Sequence, residues 1–161
     1  MHSLAFLVAL SLAAPPAAPA PVVDGNAAFE RLKKLEGSWK TDAKDGPVQY
    51  VTLRLVGAGT AVLETTTGAD RTTVTGAVIY SFEGTKLIAT HHGSGGTSRL
   101  EVTGSDASMI KFDGRDREAR VAGLVLTVKE NKLRQEWTTR ESGHDAKKSL
   151  DLLREYVDTL K

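Results

Sequence analysis

The chain has 161 residues, 21 Lys and Arg against 20 Asp and Glu, and a formal net charge of +1. This balance lacks the basic footprint of a general nucleic-acid or anionic-membrane binder. With no cysteine, thiol catalysis, thiolate metal sites and disulfides are excluded.

None of the charged residues falls in the first 20 positions, where an apolar run from Leu4 to Ala14 leads into an Ala/Pro tract ending at Ala18 and Ala20. The pattern reads as a signal peptide over 1–20, and the run is too short and proline-interrupted for a permanent span. The expectation is an exported protein, periplasmic or extracellular, that leaves the membrane once the signal is removed. Residues 21–26 read as a linker, and 27–161 as one domain, large enough to bury a single core without staples.

Asn26 is the expected cap of a short helix that aligns Phe29, Leu32 and Leu35, and Gly37 is a candidate for its left-handed stop. From Ser38 onward the periodicity changes to two, with many Thr and Val, and all 15 Gly lie at or after Gly25. About ten strands are predicted, at 38–43, 49–56, 61–66, 73–82, 86–92, 98–103, 108–113, 121–129, 132–140 and 145–155, with the last ambiguous between strand and helix.

Short turns between them favour an antiparallel meander over βαβ units. A two-residue turn at Glu130 and Asn131 would set Val128 against Leu133, Leu126 against Gln135 and Leu124 against Trp137, with Lys129, Lys132 and Arg134 on the other face. A one-residue slip would bury both lysines. The same reasoning with a turn at Glu83 and Gly84 pairs Tyr80 with Leu87, Val78 with Ala89 and Gly76 with His91, so that His91 faces inward. A third hairpin aligns Leu55 with Val62 and Leu53 with Glu64, which makes Glu64 an inward carboxylate.

A sheet of eight to ten strands with one apolar face removes its edges by closing, and the expected fold is all-β, an up-and-down antiparallel barrel with the short helix plugging one end.

Phe29, Leu32, Leu35, Gly37, Ser38 and Trp39 resemble the entrance of lipocalin-like barrels, where a short helix leads into Gly-x-Trp. Tyr80 to His91 (YSFEGTKLIATH) and Leu133 to Trp137 (LRQEW) resemble small exported bacterial domains related to lipocalins and nitrobindin. The resemblance implies a calycin-type barrel, with no established activity for that bacterial group. It implies a structural role for Gly37 and Trp39 under an arginine of the final strand, here Arg154. Nitrobindin-like proteins place a haem-ligating His on a late strand, where this chain offers Gln135, Trp137 and Thr139.

His91 and His92 are adjacent and so point to opposite faces of a strand, unable to chelate one ion together. His91 alone reads as a hydrogen-bonded interior histidine, or else as a haem ligand or acid–base group. Glu64, if inward, needs a partner or takes up a proton. GSGGTS at 93–98 lacks the lysine and following helix of a phosphate loop and reads as a flexible connection. DGRDREAR at 113–120 reads as a solvated loop, and Asp42 to Asp45 lack the ligand spacing of an EF-hand. No catalytic motif stands out, and no enzyme activity, metal or obligatory cofactor is expected.

The leading expectation is a barrel that binds a small, largely apolar molecule in an interior lined by Leu53, Glu64, Tyr80, Leu87, His91, Leu126, Gln135 and Trp137. Apolar walls would supply roughly 25 cal/mol per Å² of apolar surface buried, and a few polar groups would choose the pose. Two other readings stay open: a filled barrel acting as a structural or protein-interaction module, and a haem or acid–base site centred on His91.

Overall fold

The computed structural model describes residues 23–42 and 46–156. The expected signal peptide, most of the expected linker, Asp45 and the end of the chain after Tyr156 lie outside the described residues.

Helix α1 spans Gly25–Lys34. Asp24, not Asn26, is its cap: the Asp24 carboxylate accepts from the backbone N–H groups of Asn26 and Ala27, two of the donors a helix start leaves free. Gly25 and Asn26 therefore belong to the helix rather than to a linker. The helix closes through the Leu35 N–H on Leu32 O, with Leu35 right-handed, and Gly37 at φ +133° turns the chain into the first strand instead of stopping the helix.

Ten strands follow: β1 Gly37–Thr41, β2 Tyr50–Val56, β3 Ala61–Thr67, β4 Val74–Glu83, β5 Lys86–Gly93, β6 Gly96–Ser105, β7 Met109–Gly114, β8 Val121–Lys129, β9 Lys132–Glu141 and β10 His144–Glu155. Each pairs antiparallel with its sequence neighbours, and β1 pairs with β10, so the sheet is a closed ten-stranded up-and-down barrel. Closure leaves no row of unpaired backbone groups along an edge strand.

The β8–β9 hairpin has the expected register, with Leu124, Leu126 and Val128 opposite Trp137, Gln135 and Leu133. The β2–β3 hairpin likewise sets Leu53 against Glu64 and Leu55 against Val62. At β4–β5 the register differs by two residues. Glu83 pairs with Lys86 around Gly84 and Thr85, so Tyr80 faces Ala89 and Val78 faces His91. Gly84 has φ +60°, the left-handed conformation a tight hairpin turn demands. A shift of two keeps every side chain on its expected face.

The core occupies one end. Phe29, Leu32 and Ala28 of α1 enter the barrel beside Trp39, Leu53, Tyr80, Leu87, Leu100, Phe112, Leu126 and Leu133. Phe29 meets Phe82 edge to face at 5.3 Å between ring centroids. Arg31 anchors the helix from outside, donating to Ser105 Oγ at 2.7 Å and to Asp106 O.

Candidate functional site

At the end away from α1 the interior is not filled. A cavity of about 430 Å³ lies between the end of β3, the start of β4, the β5–β6 turn, the start of β8, the end of β9 and the start of β10. This volume falls in the roughly 300–1,000 Å³ range of small-molecule sites. The interior is thus divided into a packed half and an open half, where alternation alone suggested one continuous lumen.

The division sorts the expected lining residues. Glu64, His91, Gln135 and Trp137 border the cavity. Leu53, Tyr80, Leu87 and Leu126 are completely enclosed in the core and do not border it. Gly76 and Thr139, noted beside His91 and Trp137 in the sequence, border it as well, as do Thr66, Thr75, Ser98, Arg120 and Lys148, which sequence reasoning did not place there. For Thr66 and Thr139 a signal existed: each stands two residues beyond an inward side chain, Glu64 or Trp137, on the same strand. Arg120 ends the stretch read as a solvated loop, yet its side chain lies on the β5–β6 turn, so close that a Cβ on Gly95 would fall within 2.2 Å of its Cδ. The stretch read as a flexible connection is that turn, with Gly93 paired to Gly96.

Glu64 forms the floor. It is 1% exposed, and Tyr80 donates its hydroxyl to Glu64 Oε2 at 2.8 Å. Burial pushes the Glu64 carboxyl above its ordinary range, with the Tyr80 hydroxyl bonded to it and the Gln135 side chain beside it opposing the rise. Burial disfavours the charged form and so favours the protonated acid. Burial also moves the Tyr80 phenol well upward, with the Glu64 charge and hydrogen bond adding to it.

Gln135 reaches toward Glu64 from β9. It too is 1% exposed, and its Nε2 has no hydrogen-bond partner. His91 Nδ1 is likewise buried without one. The His91 ring rests on Trp137 with centroids 5.1 Å apart and planes inclined by 58°. Its other edge lies over Gly93, where a Cβ would stand 2.7 Å from Cε1. Burial, and secondarily the nearby His92, lowers the His91 pKa, so the ring is neutral at pH 7. Ser98 is spent on structure, its Oγ accepting the Val121 N–H at 3.1 Å. His92, hydrogen-bonded to Thr97, and His144 are both exposed and outside the cavity.

Lys148 stands opposite Trp137 on β10 and forms an ion pair with Glu141 at 3.0 Å. Arg120 makes no ion pair among the described residues, so the mouth carries positive charge. Among the described residues no three His, Cys, Asp or Glu are grouped to hold a metal ion. His91 is the one histidine at the cavity among the described residues, its ring held between Trp137 and the Gly93 backbone.

At the opposite end, Trp39 donates its indole N–H to Leu35 O at 2.9 Å. Arg154, its cross-strand partner, lies with its guanidinium 5.3 Å from the Trp39 ring centroid and donates to Glu36 O at 2.6 Å. Gly37, the first residue of Gly-x-Trp, has φ +133°, a backbone conformation side-chain-bearing residues rarely adopt, and Arg154 Nη2 lies at ordinary contact distance, 3.6 Å, from its Cβ position.

No family model matches the chain, and no curated protein matches it.

Proposed function

We propose that this protein is an exported, non-enzymatic barrel of lipocalin-like type that holds one small, largely apolar molecule in the open half of its interior. The observation that carries the reading is the cavity of about 430 Å³, whose floor holds buried polar atoms without partners. Unpaired buried donors and acceptors cost about 1–3 kcal/mol each, and a bound molecule is what would pair them. Val78, Val121, Trp137 and Leu150 supply the apolar wall. Export is supported by the charge-free opening of the chain, and the lipocalin-like relationship by Gly37-x-Trp39 with Arg154 beside it.

The test uses protein recovered from the extracytoplasmic fraction of its host, its first residue read by mass spectrometry, then titrated calorimetrically with fatty acids, retinoid-like probes and haem. A mature chain lacking the first 20 or so residues and saturable one-to-one binding of an apolar probe are expected, without a haem absorption band. A mature chain starting at Met1 overturns export; no saturable binding by any probe overturns the binding function in favour of a purely structural barrel.

A further inference from the structure

The polar atoms of the cavity floor are unequally matched. Tyr80 already gives its hydroxyl hydrogen to Glu64 Oε2. Gln135 Nε2 brings two N–H groups to the floor and neither finds an acceptor. We propose that the ligand carries a neutral hydrogen-bond acceptor, a carbonyl of ketone, ester or amide type, which enters first and is received by Gln135 Nε2 beside the Glu64 carboxyl. This rests on the reading of the cavity as a binding site and adds the chemistry and direction of what it takes.

The alternatives fail on charge and on hydrogen-bond count. An ammonium headgroup would bring further donors and no acceptor for Gln135 Nε2, and would have to pass Arg120 and Lys148 at the mouth. A carboxylate is attracted by those same cations, but they stand at the entrance; carrying its charge on to the floor means leaving water for a place with no cation to meet it. A plain hydrocarbon fills the volume and leaves Gln135 Nε2 unpaired. A carbonyl oxygen accepts from Gln135 without carrying a charge inward, while an apolar body lies along Val78, Trp137 and Leu150.

The experiment compares four probes of one skeleton on the full mature chain at pH 7: 2-acetylnaphthalene, 2-ethylnaphthalene, 2-naphthoate and 2-naphthylmethylammonium. The ketone is expected to bind on the order of tenfold more tightly than the hydrocarbon and than either ion. In Gln135→Met, similar in size and without the donor, the ketone's advantage over the hydrocarbon should shrink to about twofold or less, with hydrocarbon affinity preserved. Infrared spectroscopy reads the contact directly, since the C=O stretch of bound ketone should lie below its frequency in hexane. Should Gln135→Met fail to fold, that band in the unmodified protein decides. A stretch at the hexane position, equal affinity for ketone and hydrocarbon, or tightest binding of either ion overturns the carbonyl assignment and leaves the binding function standing. Binding of none of the four overturns both.

Discussion

At the closed end Trp39 gives its N–H to Leu35 O, and Arg154 is held by the Trp39 ring and Glu36 O. At the open end Gln135 Nε2 and His91 Nδ1 are also shut off from water, yet no described residue answers them. The same ten strands wall both ends. The difference lies in what enters: α1 brings Phe29 and Leu32 into one mouth, while the other is bordered by Thr66, Thr75, Thr139 and the Gly93–Gly96 turn, none with enough apolar volume to fill it. Buried polar groups are ordinarily paired, so an end that leaves two unpaired next to a cavity is shaped for something other than its own stability.

The strongest way to break this contrast is to remove an anchor of the packed end. Trp39→Ala deletes a side chain that is 1% exposed, with its hydrogen bond and its contact to Arg154. A loss of about 3–5 kcal/mol is expected in urea unfolding, as for other large buried aromatics. A loss below about 1 kcal/mol would mean that this end is not the stabilising half.

Much of that half was legible in the sequence, because there each residue has one face to choose. Lys129 and Lys132 flank Glu130 and Asn131, so only one register keeps both in water, and the structure has it. The β4–β5 turn was placed one residue too early: Gly84 fits either central position, and what decides is the pairing of Glu83 with Lys86, a fact of the closed sheet. The helix cap was missed because Asp24 and Asn26 are equally good caps, and only the chain path shows which carbonyl the Ala28 N–H reaches, that of Asp24. The site was legible in part. Alternation places Glu64, His91, Gln135 and Trp137 inside, but cannot tell that Leu53, Leu87 and Leu126 fall in the filled half. That depends on how deeply α1 enters, a tertiary quantity. Arg120 was hidden for a similar reason, since its charge-rich neighbours look solvated while its own stem rests on Gly95.

A smaller effect is expected where the open end has fitted backbone to side chain. Gly93→Ala would put a methyl group 2.7 Å from His91 Cε1, and Trp137 blocks the ring's retreat. Such overpacking should cost about 1–2 kcal/mol in urea unfolding and change the Trp137 emission as the ring tilts away. In a His91→Ala background the same substitution should cost at most about 0.5 kcal/mol, since the clash is gone. An equal cost in both backgrounds would assign the glycine to the turn rather than to seating His91.

The subtlest outcome concerns Glu64, the buried carboxyl at the open end. Its folded-state pKa is raised above the ordinary 4.5, chiefly by burial. Below about 4.5 the folded and unfolded carboxyls are both protonated, and folding carries no penalty from ionisation. As the pH rises past that value the unfolded chain releases its proton first, so the folded state loses relative stability until Glu64 itself ionises. Glu64→Gln keeps the shape and can still accept the Tyr80 hydroxyl hydrogen, but has no proton to lose. The variant should therefore gain on the unmodified protein as pH rises from 4 to 8 in parallel urea titrations, while His91, present in both, cancels from the difference. At pH 4 the comparison reports only the exchange of an acid for an amide. A difference that stays flat across the range would show that Glu64 titrates as it does in the unfolded chain.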